Sequence, residues 1–267
     1  MQKNIFITGS TDGIGLETAK MLLEQGHYLL LHGRNPQKLE RVKTELSAMG
    51  KVESYLADLS DLGAVKNLAK SVADNHQTLD VLINNAGIYK TPAAVTSDGL
   101  DIRFAVNAIA PYLLTKTLLP RLGRESRVVN LSSAAQASVN LQALVGKGGE
   151  MGAMTAYSQS KLAIIMWSFA MATSLGKVGP IIVAVNPGSL LASKMVKEGF
   201  GVAGNDIGIG ANILTRIALS DEFADASGKY FDNDRKKFAE PHPDALDGHK
   251  CSQLAALIDD IIKQICT

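Results

Sequence analysis

The sequence predicts one α/β domain over residues 1–267, built on a doubly wound parallel sheet of about seven strands with helices on both faces. Short apolar runs alternate with longer amphipathic ones through most of the chain. The short runs are apolar at nearly every position, which indicates strands covered by helices on both faces. There is no linker, internal repeat or low-complexity tract, so a single domain is favoured over two.

Individual elements follow from the same periodicities. The apolar runs predict strands at 4–8, 28–32, 52–56, 79–84, 127–132 and 181–186. Residues recurring at helical spacing predict helices at 15–26 and 61–75, and an amphipathic helix closing the domain at 251–265.

Composition excludes several classes of function. The chain has 27 basic and 26 acidic residues and a net charge of +1, without blocks of like charge, so nucleic-acid binding is not expected. The stretch DNDRKKF (232–238) mixes both signs and is interpreted as a solvated turn. No apolar run approaches the roughly 20 residues of a membrane span. The five histidines show no metal-ligand spacing, and no metal is predicted.

The first residues and the cysteines concern the cellular compartment. MQKNIFITGS is interpreted as a strand entering a glycine turn, rather than as a signal peptide. Cys251 and Cys266 form no CxxC pair, which is typical of a reducing compartment. We therefore expect a cytoplasmic protein.

The stretch TGSTDGIG (8–15) joins the first strand to the first helix. Its glycines allow a tight turn and a close approach of backbone N–H groups to a phosphate at the helix N-terminus. The spacing G-x-x-x-G-x-G differs from the usual dinucleotide fingerprint, and a plain strand-to-helix turn is the alternative. In the first β-α unit of a doubly wound domain, cofactor binding is favoured. The residues predicted to contact the cofactor here are Gly9, Ser10, Thr11, Asp12, Gly13, Ile14 and Gly15.

The second strand ends in LHGRNP (31–36). An acidic residue at this point would bind the ribose 2′-hydroxyl of NAD, whereas an arginine accommodates the 2′-phosphate of NADP. Gly33 leaves space and Arg34 offers a guanidinium fork. The alternative is a surface arginine before a helix opened by Pro36. The sequence favours NADP(H) over NAD(H).

Four stretches in this order resemble the short-chain dehydrogenase/reductase family: TGSTDGIG, NNAG (84–87), YSQSK (157–161) and NPG (186–188). The stretches 96–122 and 127–135 are similar to its retinol-dehydrogenase-like branch. The resemblance implies a Rossmann domain that transfers a hydride between nicotinamide and a carbonyl or secondary-alcohol carbon of a small, apolar substrate. It also implies a homodimer or homotetramer, packed through the apolar helices around 100–122 and 155–175.

The resemblance also assigns roles to residues. The implied catalytic residues are Asn107, Ser133, Tyr157 and Lys161. Asn84 begins the NNAG stretch that supports the nucleotide site. The further implied cofactor contacts are Asp58 and Leu59 near the adenine, Asn85, Ala86 and Gly87, and Pro187, Gly188, Tyr157 and Lys161 around the nicotinamide and its ribose. The family often has a threonine where this chain has Ala192, followed by Ser193.

A tyrosine and a lysine four residues apart share one face of a helix. A neighbouring ammonium stabilises phenolate, so Lys161 is expected to lower the pKa of Tyr157 and make it an acid/base near neutral pH. The alternative is a helix surface pair worth about 0.2–0.5 kcal/mol. The apolar stretch 162–172 that follows indicates a buried helix and favours the catalytic interpretation.

Two further expectations concern residues around this pair. Ser133 is expected to orient the substrate carbonyl, with Ser132 as the competing choice, because only one of two adjacent strand residues faces the site. Pro111 has no N–H for the carbonyl of Asn107, which is expected to hold a water that links Lys161 to solvent.

The stretches 134–156 and 189–206 are expected to shape the substrate pocket and to act as a lid. Two alternatives to the oxidoreductase remain. One is a non-catalytic NADP(H)-binding sensor or scaffold, and the other is a lyase or epimerase that uses the same Tyr-Lys pair.

Overall fold

The computed structural model describes residues 1–266, apart from the side chains of residues 198 and 200. These residues form one eight-stranded sheet in the order β3-β2-β1-β4-β5-β6-β7-β8. Every neighbouring pair is parallel except β7 with β8, which is antiparallel. The strands are β1 (Asn4–Ile7), β2 (Tyr28–Gly33), β3 (Val52–Leu56), β4 (Leu79–Asn84), β5 (Leu122–Leu131), β6 (Ile181–Asn186), β7 (Lys229–Asp232) and β8 (Lys237–Phe238).

Helices connect the parallel strands. They are α1 (Gly13–Glu24), α2 (Pro36–Ser47), α3 (Leu62–Asn75), α4 (Ile102–Phe104), α5 (Ala110–Leu118), α6 (Leu141–Leu144), α7 (Ala153–Leu175), α8 (Lys194–Phe200), α9 (Gly208–Leu219), α10 (Pro243–Leu246) and α11 (Gly248–Ile265). Over residues 1–266, none of them combines the length and apolarity needed to cross a bilayer.

The doubly wound α/β class is confirmed, with one more strand than expected. Two separate apolar cores lie on the two faces of the sheet. One holds side chains of α1, α2 and α9, and the other holds side chains of α3, α5, α7 and α11. Continuously apolar strands suit this arrangement because alternate side chains enter opposite cores. In β1, for example, Phe6 enters one core while Ile5 and Ile7 enter the other.

Two parts of the sheet differ from the prediction. β5 begins at Leu122 instead of 127, and its register with β4 shifts between Leu79 and Val81. The turn predicted at 232–238 is present at residues 233–236, but both ends of this stretch belong to strands. Asp232 ends β7 and is buried, and Lys237 and Phe238 form β8. The mixed charges concealed two short strands, because periodicity needs more than four residues to be recognised.

The helical run that contains Pro111 has a π-helical turn at Ala105–Ile109, between α4 and α5. The N–H of Ala110 donates to the carbonyl of Ala105, five residues back. Single π turns are frequent at functional sites. The helix is therefore irregular just before the proline, and the water on the carbonyl of Asn107 stays a prediction.

The helix faces expected to meet a second subunit are covered within the chain. Between residues 156 and 172 of α7, no side chain is exposed. The apolar side of α11, with Leu254, Ile258 and Ile261, belongs to the same core as α7. Lys116 of α5 forms an ion pair with Asp259 of α11. Any second subunit would therefore have to use another surface than the centre of α7.

Candidate active site

The glycine turn after β1 is packed tightly against the NNAG stretch after β4. Gly9 has φ +65°, and a Cβ there would lie 2.9 Å from the Cα of Ala86. A Cβ at Gly15 would lie 2.4 Å from both the Gly9 carbonyl oxygen and Asn85 Nδ2. The Asn85 amide donates to the carbonyls of Thr8 and Gly9 at 2.9 and 3.0 Å. Glycine is required at both positions, since no side chain fits.

Gly13, which lies between these two glycines in the sequence, opens onto a cleft. Gly13 has φ +56°, and the only atoms near a Cβ there belong to Ile207 and Ser193, at 3.8 and 3.9 Å. The cleft is about 490 Å³ and lies between the glycine turn and the 189–206 stretch. Asp12 caps α1 by accepting the N–H of Gly13, and it pairs with Lys38. Burial raises the pKa of Asp12, but its hydrogen bonds to Lys38 and Gly13 outweigh this and lower the pKa.

The ends of β2 and β3 lie side by side, as the adenosine half of a dinucleotide requires. Arg34 follows β2 and is exposed. A Cβ at Gly33 would lie 2.6 Å from the Thr11 side chain, so this glycine lets the two loops touch. Asp58 is exposed, and its Oδ1 accepts both the N–H and the hydroxyl of Ser60. Leu59 beside it is buried.

Lys161 lies in the interior, 4% exposed. Its Nζ donates to the carbonyl of Leu131 at 2.8 Å and lies 5.7 Å from the centre of the Tyr157 ring. A Cβ at Gly87 would lie 3.4 Å from this Nζ and 3.5 Å from Asn107 Oδ1. Burial lowers the pKa of Lys161 to about 8.

Tyr157 is half-buried and hydrogen-bonded to Ser133. Its pKa is raised: burial is the largest effect, the Ser133 hydrogen bond lowers the pKa in part, and Tyr89 raises it further. The expected lowering by Lys161 is therefore wrong for the chain by itself. The ammonium is engaged by the Leu131 carbonyl, and desolvation of the phenolate outweighs its attraction.

The two serines after β5 face different ways. Ser132 is buried and its hydroxyl donates to the carbonyl of Lys161 at 2.6 Å. Ser133 points to Tyr157, and its Oγ also accepts the N–H of Ala135 at 3.1 Å. The geometry favours Ser133 over Ser132 as the serine that meets a substrate.

Asn107, in the π-helical turn, ties two parts of the site together. Its side chain exchanges two hydrogen bonds with the backbone of Ile88, at 2.8 and 2.9 Å. Its Nδ2 also donates to Ser160 Oγ at 2.9 Å, and Ser160 donates to the carbonyl of Tyr157 at 2.7 Å. The NNAG stretch and α7 are thereby held at a fixed separation.

The NPG turn is fixed by a residue that the sequence analysis missed. Asp234 accepts the N–H and hydroxyl of Ser189, and also Asn186 Nδ2 at 2.9 Å. Asn233 donates to the carbonyl of Pro187 at 2.9 Å. Gly188 has φ +127°. The charged stretch after β7 therefore supports the turn expected beside the nicotinamide. In the sequence, the acidic residues of this stretch were the one signal of such a role.

Tyr89 is a second residue that the sequence analysis missed. It is buried, and its ring packs edge-to-face on Tyr157 with 5.4 Å between centroids. A Cβ at Gly199 of α8 would lie 2.6 Å from the Tyr89 ring, and Lys90 donates to the Gly199 carbonyl at 3.1 Å. α8 therefore covers Tyr89, which in turn covers Tyr157.

Comparison with known proteins agrees with this arrangement. The family model for short chain dehydrogenases matches residues 3–200. Human retinol dehydrogenase 13 is 30% identical over 275 residues, which cover 95% of this chain and 82% of that protein. A crystal structure of a Mycobacterium paratuberculosis protein superposes with a TM-score of 0.81 at 28% identity, over 98% of this chain and 94% of that one. A metagenomic short-chain oxidoreductase in complex with NADP gives a TM-score of 0.61 at 26% identity, over 81% and 90% of the two chains.

The chain belongs to the short-chain dehydrogenase/reductase family. Within it, the chain falls in the retinol-dehydrogenase-like branch and is an oxidoreductase acting on CH–OH groups.

Proposed function

We propose that the protein is an NADP(H)-dependent oxidoreductase that interconverts a carbonyl and a secondary alcohol on a small, apolar molecule. One observation carries the proposal. Tyr157 is hydrogen-bonded to Ser133, and its ring centre lies 5.7 Å from the buried Lys161 Nζ. The NNAG stretch lies beside this Nζ at Gly87 and packs on the glycine turn at Ala86, so it joins the two groups. This arrangement suits hydride transfer, because the glycine turn can bind the cofactor phosphates at one end of the site and Tyr157 can transfer a proton at the other.

The residues present fit a dinucleotide. The open side of Gly13 and the first N–H groups of α1 suit the phosphates. Asp58 keeps one carboxylate oxygen for the adenine, since Ser60 occupies the other. The NNAG stretch, Lys161 and the NPG turn would hold the ribose and nicotinamide. When bound, the cofactor donates or accepts the hydride.

The chain's own groups manage the proton. Because its pKa is raised, Tyr157 is a neutral phenol at pH 7 and can donate its proton to a carbonyl oxygen that gains charge. Ser133 offers that oxygen a second hydrogen bond. Lys161 lies close enough to stabilise the phenolate left behind, and Tyr157 then regains a proton from solvent.

NADP(H) is proposed over NAD(H) because of the end of β2. Arg34 is exposed beside Gly33, with no carboxylate at the strand end. The NADP bound to the metagenomic relative supports the same choice. Replacing Arg34 with Ala should weaken NADPH binding about tenfold or more and leave NADH binding unchanged. Equal losses for both cofactors would show that Arg34 does not read the 2′-phosphate.

The deciding experiment measures NADPH oxidation with a panel of apolar aldehydes, ketones and quinones, for the wild type beside Tyr157→Phe. We expect turnover that falls at least about 100-fold in the variant while NADPH affinity stays within about twofold. NADPH binding without turnover of any compound would favour the sensor or scaffold. Conversion without net change in NADPH would favour the lyase or epimerase.

A further inference from the structure

We propose that His32 is a positioning residue that fixes the phosphate-binding turn to the adenine-binding loop. This inference rests on the proposed function, because it assigns His32 a role in holding the same dinucleotide. His32 itself touches neither substrate nor cofactor. It lies in β2, two residues before Arg34, and its ring lies between the ends of β1 and β3.

The ring makes one hydrogen bond to each loop. Its Nδ1 accepts the backbone N–H of Gly9 at 3.1 Å, and its Nε2 lies 3.1 Å from the carbonyl oxygen of Ala57, next to Asp58. An imidazole nitrogen that accepts an N–H carries no proton, so Nε2 must carry it and donate to Ala57. The two loops thus fix one tautomer.

Backbone contacts make the connection rigid. The Ser10 N–H donates to the carbonyl of His32 at 3.0 Å, and the His32 N–H donates to Ser10 Oγ at 2.9 Å. The Ala57 N–H donates to the carbonyl of Gly33 at 3.2 Å. The turn therefore meets β2 through backbone and side chain together, and the His32 ring adds a second link from β2 to Ala57, at its carbonyl.

The environment keeps the ring neutral. His32 is only 3% exposed, and burial lowers its pKa to about 4, against smaller opposing effects of the Ala57 hydrogen bond and Asp58. A neutral ring is needed because a protonated Nδ1 would point a donor at the Gly9 N–H.

The opposite end of β2 offers a matched control. His27 immediately precedes the strand, is also buried, and its Nδ1 accepts the N–H of Lys3 at 3.2 Å. It thus joins β1 and β2 by the same kind of hydrogen bond. In a parallel sheet, however, this end lies at the edge opposite the binding site.

Three substitutions of His32 separate its two bonds. His32→Leu removes both. His32→Asn keeps an acceptor near the position of Nδ1, so only the bond to Ala57 is lost. His32→Gln reaches the position of Nε2 with a donor, so only the bond to Gly9 is lost. The measurements are dissociation constants for NADPH and for adenosine 2′-monophosphate, which lacks the pyrophosphate, together with kcat and KM for a carbonyl substrate.

We expect His32→Leu to weaken NADPH binding about tenfold, because buried partners on both loops lose their hydrogen bonds. His32→Asn should weaken adenosine 2′-monophosphate binding, whereas His32→Gln should leave that binding unchanged and weaken NADPH binding. At saturating NADPH, kcat and the carbonyl KM should match the wild type in all three. His27→Leu should lower the thermal midpoint without changing NADPH affinity by more than about twofold.

Two results would overturn the proposal: wild-type NADPH affinity in folded His32→Gln and His32→Asn, or an equal loss in His27→Leu. If His32→Leu does not fold, the Asn and Gln variants decide alone. A wild type that binds neither NADPH nor NADH would instead refute the proposed function.

Discussion

The glycine turn (8–15) and the 189–206 stretch lie on opposite sides of one cleft, and they are held in different ways. The turn is fixed along its length: Asn85 binds it from the NNAG stretch and His32 binds it from β2. The 189–206 stretch is held at its two ends and, through Gly199 of α8, against Tyr89 and Lys90. Asp234 binds Ser189, while Asn205 exchanges backbone hydrogen bonds with Leu190 and Ala192.

Exposure and backbone geometry follow the same division. The turn has glycine wherever φ is positive, whereas the stretch has Leu190 at φ +52°. Leu190 and Val202 are 45% and 42% exposed. Local opening costs least where few buried contacts hold a segment. We therefore expect the cofactor side of the cleft to stay fixed, and the substrate side to adjust to the molecule it binds.

The strongest test of this comparison is Gly15→Ala. Its Cβ would lie 2.4 Å from the Gly9 carbonyl oxygen, so the turn must shift. We expect a loss of about 1–3 kcal/mol in the free energy of unfolding, and NADPH binding at least about tenfold weaker, measured by urea unfolding and calorimetric titration. Gly201→Ala is the comparison in the other region: its Cβ meets nothing within 4 Å, although its φ of +68° costs about 1–2 kcal/mol of backbone strain. It should leave NADPH affinity unchanged. Equal losses of NADPH affinity in the two variants would show that the two regions are not held differently.

The second test concerns how much the burial of Lys161 lowers the free energy of unfolding. The folded pKa is about 8, below the unfolded value of about 10.4. Between these values the unfolded chain holds more protons, so this group's contribution to stability rises with pH. Relative to Lys161→Met, the wild type should therefore gain stability from pH 8 to pH 10 and gain none below pH 7. Urea unfolding without cofactor measures this, and a difference independent of pH would contradict it.

A smaller effect is expected from Asp234→Asn, which weakens the anchor of the 189–206 stretch. The charge-assisted hydrogen bonds to Ser189 are lost. We expect kcat/KM for a carbonyl substrate to fall about 3- to 10-fold, with adenosine 2′-monophosphate affinity unchanged. Asp225→Asn, at an exposed carboxylate before β7, is the control. A parallel loss of adenosine affinity would show that the two sides of the cleft are not independent.

The smallest effect is expected from Leu190→Gly. Relief of the left-handed backbone is worth about 1 kcal/mol and is offset by the greater freedom of glycine in the unfolded chain. Lys236→Gly relieves the same conformation, φ +54°, outside the stretch. Thermal midpoints of both should move by no more than a few degrees, about 2–4 °C per kcal/mol. Only Leu190→Gly should change the carbonyl KM, and an unchanged KM would place Leu190 outside the substrate path.

Sequence alone predicted the sheet well, because five of the first six strands are apolar runs buried on both faces; β3 is mostly half-buried. It missed β7 and β8, which have only four and two residues and flank a charged turn. It also missed Asp234, since its partner Ser189 lies 45 residues away and no periodicity joins them. His32 was one of five scattered histidines, and its two partners come from different strand ends.

The sequence predicted which residues form the site, but it did not predict their pKa shifts. The four-residue spacing placed Tyr157 and Lys161 on one side of α7, as the structure has them. The predicted lowering of the Tyr157 pKa was wrong, because the burial that raises this pKa depends on the whole fold. Tyr89, which raises the Tyr157 pKa further, and the Leu131 carbonyl, which holds the Lys161 ammonium, could not be found from spacing.

α11 also bears on how the chain is made. The part of α7 that packs on α11 is covered once Leu254, Ile258 and Ile261 have been synthesised. At roughly 5–20 residues per second, the stretch from Leu175 to Gly248 takes about 4–15 seconds to translate. For that interval the apolar side of α7 that α11 covers is exposed to solvent or to a chaperone. Ribosome-bound chains halted before α11 are therefore the form most prone to aggregate.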